Sequence, residues 1–331
     1  MAIQWNETCK RKCYKVKLSY EEDIEELRIC LNSIPKKIPS RFFYDELGDK
    51  YFSEIMNLPE YYLTRTENLI LRENTSSIFN KLNYNKKIRF LEPGAGDGSK
   101  FAILYKSLET KNIITYSPID ISENVLQILE KNLKKEFPEL SIEPIISDYK
   151  HIKTHIPDMD EQKVLLFLGS NLGNYTPEES IEYIRLFTDC LKKDDLFLLG
   201  VDLVKDPNII YSAYNDSRGT TSEFNLNLLK RLNSLLQTNF NVEDFFHYPV
   251  YNPVLQQAES YLVCKEDRVI YSEILKENFY FQKFEPILTE ISRKFRITEI
   301  ESLAKTMNME ILEVLTDREH KYCCSLWRMI T

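Results

Sequence analysis

From residue 88 onward, short β-branched or aliphatic runs alternate with longer segments whose apolar residues recur at helical spacing. The runs are IRFLE (88–92), IITYSPID (113–120), IEPII (142–146), VLLFL (164–168) and LFLLGV (196–201). Strands this continuously apolar are buried on both faces, and the intervening helices supply the cover, so the pattern predicts a parallel sheet with crossover helices. One crossover is especially legible. Thr176, Pro177 and Glu179 form a T-x-x-E capping box with proline at the first helical position, and Ile181, Ile184, Phe187 and Leu191 recur on one face.

The C-terminal pattern differs. ITEIESLAKTMN reads as a helix, and MEILEVLTD and YCCSLWRM read as two strands joined by a charged turn, a terminal antiparallel hairpin. A dinucleotide-binding sheet more usually continues in parallel, whereas five parallel strands closed by a hairpin look like the S-adenosylmethionine (SAM)-dependent methyltransferase fold, a Rossmann-like α/β sheet. Roughly ninety residues between LFLLGVDLV and the last helix interrupt the sheet, too many for a plain loop. Their first half, YNDSRGTTSEFNLNLLKRLNSLL, is helical in pattern, and their second half, with NPVLQQAESYLVC and RVIYSEIL, alternates like antiparallel strands. The expected division is a sheet domain of residues 66–204 and 296–331, and a smaller α+β domain of residues 14–65 and 205–295.

Composition narrows the function. A chain of 331 residues with 43% hydrophobic content can bury a substantial core. Its net charge of -8 argues against a nucleic-acid surface, and its one dense basic run, Lys10, Arg11, Lys12, Lys15 and Lys17, reads as a solvated arm. Seven cysteines, two of them adjacent at Cys323 and Cys324, suit a reducing cytoplasm better than a disulfide framework, and no zinc spacing is present. The apolar runs are too short to span a bilayer, and the first residues lack the apolar core of a signal peptide. The expectation is a cytoplasmic monomer without membrane or nucleic-acid partner, acting on a small molecule.

The candidate chemistry begins at LEPGAGDGSK (91–100). A strand, a glycine turn and a helix N-terminus bring backbone N–H groups close to a polar ligand. The spacing does not match the phosphate loop G-x-x-x-x-G-K-[ST], and G-x-G-x-G is one residue short of the dinucleotide fingerprint. Asp120, at the end of the second strand, is placed to accept from two ribose hydroxyls, which NAD and SAM both require. Asp148 and Tyr149 after the third strand add an acceptor for an adenine amine and a ring beside the base. The same residues also suit a tight turn, a helix flank and the core; the ordered set together with the C-terminal hairpin favours SAM.

The stretches RFFYDELGDKYFSEIMNLPEYYLTRTE, EPGAGDGSK, PIDIS, FLGSNLGNYTP, LLGVDLVKDP, AYNDSRGTTSEFNLNLLKRLN and TEISRKF, in this order, resemble the histidine-specific, SAM-dependent Nα-methyltransferases of ergothioneine biosynthesis. The resemblance runs from about residue 30 to the end. It implies that Gly94, Lys100, Asp120, Asp148 and Tyr149 bind SAM. It implies that Tyr61, Asn174 and Tyr214, with Gly169 beside them, hold the α-amino and carboxylate groups, that Glu290 and Ser292 recognise the imidazole, and that Tyr44 lies close to the amine being methylated. It also implies three successive transfers to give Nα-trimethylhistidine (hercynine), with S-adenosylhomocysteine as co-product.

If TEISRKF is a strand, Glu290 and Ser292 share a face and can satisfy the two imidazole nitrogens. On spacing alone Glu290, Ser292 and Lys294 also read as the solvent face of an amphipathic strand. Ser260 stands where the histidine enzymes are expected to carry a larger apolar residue. That points to another amino acid, such as a tryptophan derivative, as the alternative acceptor, although an indole pairs poorly with two polar groups. A histidine-binding protein without catalysis and an NAD-linked oxidoreductase are the alternatives from other classes.

Overall fold

In the computed structural model, residues 20–108, 113–120, 122–147, 156 and 160–331 are described. The chain enters through α1 (Tyr20–Asn32), β1 (Lys36–Lys37), α2 (Glu46–Met56) and α3 (Tyr62–Phe79). It then alternates through β2 (Lys87–Pro93), α4 (Ser99–Lys106), β3 (Ile114–Asp120), α5 (Glu123–Glu136), β4 (Ser141–Ile142), β5 (Ile145–Ile146), β6 (Glu161–Phe167), α6 (Pro177–Thr188) and β7 (Leu196–Asp202). After α7 (Pro207–Ala213) and α8 (Thr220–Leu236) come β8 (Phe245–Asn252), β9 (Gln257–Cys264), β10 (Arg268–Ser272), β11 (Glu277–Phe281) and β12 (Pro286–Arg293). The chain closes with α9 (Ile297–Thr306), β13 (Met309–Thr316) and β14 (Tyr322–Met329).

The large sheet has the order β13-β14-β7-β6-β2-β3-β4, with β5 also on β3. From β7 to β4 and β5 every pairing is parallel, while β14 lies antiparallel to β7 and to β13. This is the SAM-dependent methyltransferase architecture, a Rossmann-like sheet with a terminal hairpin. The unbroken apolar runs follow from burial on both faces. Val164 and Leu166 join one core with α3 and α4, whereas Leu165 and Phe167 join the opposite core with α6 and α9. Arg89 is the charged exception inside such a run; it is 1% exposed and pairs with Glu161 at 2.6 Å and Glu143 at 2.7 Å.

The capping box of α6 forms as expected, with Thr176 and Glu179 each bonded to the other's backbone N–H. IEPII differs from the single strand its composition suggests. Pro144 has no N–H to donate, and the run splits into β4 and β5, with Glu143 N–H donating to Tyr116 between them.

A second, four-stranded sheet has the order β1-β12-β9-β8, and β10 and β11 form a separate antiparallel pair. Its core draws on the N-terminal region as well as the interruption: Leu27 and Leu31 of α1, Phe42, Phe43 and Ile55 pack with Phe224, Leu228, Leu232 and Leu236 of α8 and with Leu262 and Ile287. The two sheets meet where β12 ends. Phe295 N–H donates to the Asp202 carbonyl at 2.8 Å, and a Cβ at Gly173 would lie 2.9 Å from the Arg293 carbonyl oxygen. β12 thereby delivers its residues to the carboxyl edge of the large sheet, where open α/β sheets bind ligands.

Candidate active site

The glycine loop leaves β2, whose neighbours are β3 on one side and β6 on the other, the point at which strand order reverses. Gly94, Gly96 and Gly98 all have positive φ, and a Cβ at Gly96 would meet no atom within 4 Å, so the turn keeps an open face of backbone. Gly98 starts α4, and Asp120 ends β3 with its Oδ1 accepting from Ser122 N–H at 2.9 Å. An adenosyl group with a charged amino-acid tail fits this cradle: backbone at the turn, a carboxylate at the neighbouring strand end, and Lys100 in the first turn of α4. Glu92, just before the loop, is 3% exposed and accepts from Tyr116 Oη at 2.5 Å. Burial raises its pKa to about 7, against the lowering effects of the Tyr116 bond and of Lys100.

Lys100 meets Glu67 of PEYYLTRTE, Nζ to Oε2 at 3.0 Å. The other oxygen, Oε1, accepts from Gly169 N–H and from Tyr322 Oη, both at 2.7 Å. Gly169 has φ +84°, and a Cβ there would lie 2.6 Å from Lys100 Nζ. Glu67, itself 1% exposed, thus ties the glycine loop, the loop after β6 and the last strand to one carboxylate.

The residues expected to face the acceptor converge on the same edge. The Tyr61 and Tyr214 rings lie 6.5 Å apart edge to face; Phe52 packs on Tyr61, and Tyr44 packs on Phe52 and Phe224. Burial pushes both the Tyr61 and Tyr214 hydroxyls well above their ordinary pKa, and the Glu290 carboxylate adds to each shift. Glu290 is half-buried on β12 and receives no hydrogen bond from a described residue; burial raises its pKa to about 7, opposed by Lys294. Asn174 ends the short 3-10 turn Asn171–Asn174, which packs on β12.

Behind these residues lies a buried polar network. Asp202 accepts from Lys205 at 2.6 Å through Oδ1 and from Tyr62 Oη at 2.7 Å through Oδ2, and Oδ2 also pairs with the Lys294 ammonium at 3.0 Å. Lys294 also donates to Tyr214 Oη and Ser292 Oγ, both at 2.9 Å, and Tyr214 Oη donates to Ser292 Oγ at 2.6 Å. Burial, with Lys294 nearby, lowers the Lys205 pKa to about 8 despite Asp202. Ser292 and Lys294 are therefore not the solvent face of a strand; they are 4% and 1% exposed.

The structure thus gathers Tyr61, Tyr214, Glu290 and Ser292, with Tyr44 at the outer end of the aromatic row. It sets Gly169 against Lys100. Tyr214 and Ser292, assigned above to opposite ends of a substrate, touch each other. Asp148 and Tyr149 lie outside the described residues. Sequence reasoning did not single out Glu67, Glu92, Asp202 or Lys205, and named Lys294 only as part of a solvent face. The available signal was a charge at the edge of an otherwise apolar run, as with Asp202 at the end of LFLLGVD, every residue of which is buried. Among the described residues no His, Cys, Asp and Glu cluster could hold a metal ion, and no helix is long and apolar enough to cross a membrane.

Residues 23–329 match the family model described as histidine-specific methyltransferase, SAM-dependent. A histidine N-alpha-methyltransferase of Mycolicibacterium smegmatis is 32% identical over 272 residues, covering 82% of this chain and 84% of that protein. Ergothioneine biosynthesis protein 1 of Neurospora crassa is 28% identical, covering 83% of this chain and 31% of its own length. The N-methyltransferase fsqC of Aspergillus fumigatus is 27% identical, covering 88% of this chain and 80% of its own length. The chain is an enzyme that belongs to the SAM-dependent, histidine-specific methyltransferase family.

Proposed function

We propose that the enzyme transfers methyl groups from SAM to the α-amine of L-histidine, three times in succession, giving Nα-trimethylhistidine for ergothioneine synthesis. The observation that carries the acceptor is the convergence of Glu290 and Ser292 with Tyr61 and Tyr214 at the carboxyl edge of the glycine-loop sheet. Residues 66–204 and 296–331 form the SAM-binding domain and residues 14–65 and 205–295 the substrate-recognition domain, with Gly169 and Asn174 reaching the acceptor from the former. The protein acts as a cytoplasmic monomer.

SAM supplies an activated methyl on a sulfonium, so the displacement needs no covalent enzyme intermediate. The chain's task is alignment and selection of the deprotonated amine, since an α-amine with a pKa of about 8 is mostly protonated at neutral pH. Gly94, Lys100, Asp120, Asp148 and Tyr149 hold the donor. Tyr61, Asn174 and Tyr214, with Gly169 nearby, hold the amine and carboxylate, and Tyr44 lies near the reacting nitrogen. The tyrosine hydroxyls are pushed up in pKa, so they orient the lone pair as neutral donors or acceptors and do not act as strong bases. Glu290 and Ser292 take the two imidazole nitrogens. A trimethylated nitrogen has no lone pair, and transfer stops there.

One observation favours a second acceptor, another amino acid such as a tryptophan derivative. Ser260 pairs directly with Glu290 across β9 and β12, is 1% exposed, and its Oγ has no hydrogen-bond partner among the described residues. Incubation with SAM and each free amino acid in turn, followed by mass measurement of the products, tests both readings: methyl gain on an aromatic amino acid in place of histidine would sink the first.

A further inference from the structure

Lys294 is wholly buried; it forms an ion pair with Asp202 Oδ2 at 3.0 Å and donates to Tyr214 Oη and Ser292 Oγ, both at 2.9 Å. It has no lone pair, so both hydroxyls must accept from it. Between the two hydroxyls, Tyr214 donates to Ser292 at 2.6 Å. Ser292 Oγ then accepts twice, which fills its lone pairs, and only its own proton remains to be offered. If the bond between the hydroxyls is reversed, the leftover proton is that of Tyr214. In either arrangement the pair is left with one hydrogen-bond donor to offer.

The ammonium cannot swing away to release this constraint. Asp202 anchors it, and Asp202 is itself held by Lys205 and Tyr62. Two residues from Ser292, on the same face of β12, stands Glu290, whose carboxylate receives no hydrogen bond from a described residue. With Tyr214 donating to Ser292, the face carries an acceptor at position 290 and a donor at position 292.

We infer that Lys294, clamped on Asp202, is a positioning residue that locks the Tyr214–Ser292 hydroxyl pair as a donor, so the site selects an amino acid whose ring presents a bare nitrogen to Ser292. This rests on the proposed acceptor and deepens it. Neutral imidazole, with one N–H and one bare nitrogen, fits the face in a single orientation. A ring with N–H alone leaves the locked donor unpaired, which is the costly case for a buried polar group.

The test measures kcat/KM with SAM for histidine, for 4-thiazolylalanine, whose ring nitrogen only accepts, and for 2-pyrrolylalanine, whose ring nitrogen only donates. The wild type should prefer the thiazole over the pyrrole by about tenfold or more. In Lys294→Met the hydroxyls are free to turn and accept, and the preference should fall to about threefold or less. Lys294→Arg should keep it. Mere loss of packing would depress both analogues alike and leave the ratio unchanged, a result that would overturn the inference.

A wild type that uses the two analogues equally overturns it without any variant, and so covers the case in which Lys294→Met does not fold. That result is also the one expected if the hydroxyl pair serves the carboxylate instead. Wild type that adds no methyl to histidine overturns the acceptor reading itself, and this inference with it.

Discussion

The Glu67 carboxylate lies 3.0 Å from the Lys100 ammonium while its other oxygen accepts from Gly169 N–H, so one buried side chain sets both the glycine loop and the loop after β6. Removing that charge leaves Lys100, whose side chain keeps 22% exposure, without its ion-pair partner, at a cost below the about 3–5 kcal/mol of breaking a fully buried pair. Glu67→Gln should lower the melting temperature and weaken S-adenosylhomocysteine binding by about tenfold or more. Thermal denaturation and calorimetric titration check both. Unchanged affinity in a folded variant would show that Glu67 does not set the donor site.

Gly200 gives an independent route to the same carboxylate. It lies in β7 with ordinary backbone, yet an added Cβ would stand 2.1 Å from Glu67 Oε1 and 3.1 Å from Tyr322 Oη. Gly200→Ala should therefore destabilise by about 1–3 kcal/mol, the usual cost of overpacking, and weaken the donor in proportion to the displacement of Glu67. A chemical denaturation midpoint equal to wild type would contradict the packing.

Glu290→Ala should reduce kcat/KM for histidine by about a hundredfold while turnover of phenylalanine or tryptophan changes little or rises. Steady-state kinetics on the three amino acids decide it. If histidine turnover is unaltered, Glu290 does not meet the imidazole.

Glu92 makes stability depend on pH. Its folded pKa, about 7, stands above the ordinary 4.5, so the native state holds a proton that the unfolded chain releases first. Its contribution is fully present below about pH 4.5 and is lost as pH rises through about 7, an effect of about 3 kcal/mol at most. Glu92→Gln should leave a melting-temperature difference from wild type that changes between pH 5 and 7 and is flat above 8. A difference independent of pH would contradict the raised pKa.

The large sheet was legible because its strands are covered on both faces, so local composition alone marks them. Pro144 was visible in IEPII, and the split it causes follows from its missing N–H. The second sheet was only partly legible: the alternation in NPVLQQAESYLVC was clear, but β1 joins β12 from the other end of the chain, a pairing no window contains. At the site, Glu290 and Ser292 stood out through their motif and period. Lys294 shares that period, yet whether it faces water or Asp202 depends on β7 and on Tyr214, which come from elsewhere in the sequence. Glu67 and Lys100 are likewise joined only by folding.

The central claim is methyl transfer to the α-amine of histidine, and mass analysis of histidine incubated with the enzyme and SAM tests it most directly. The account predicts products heavier by one, two and three methyl groups, all carried on the α-nitrogen, with the third accumulating. A product methylated on the ring, or no mass gain, would contradict it.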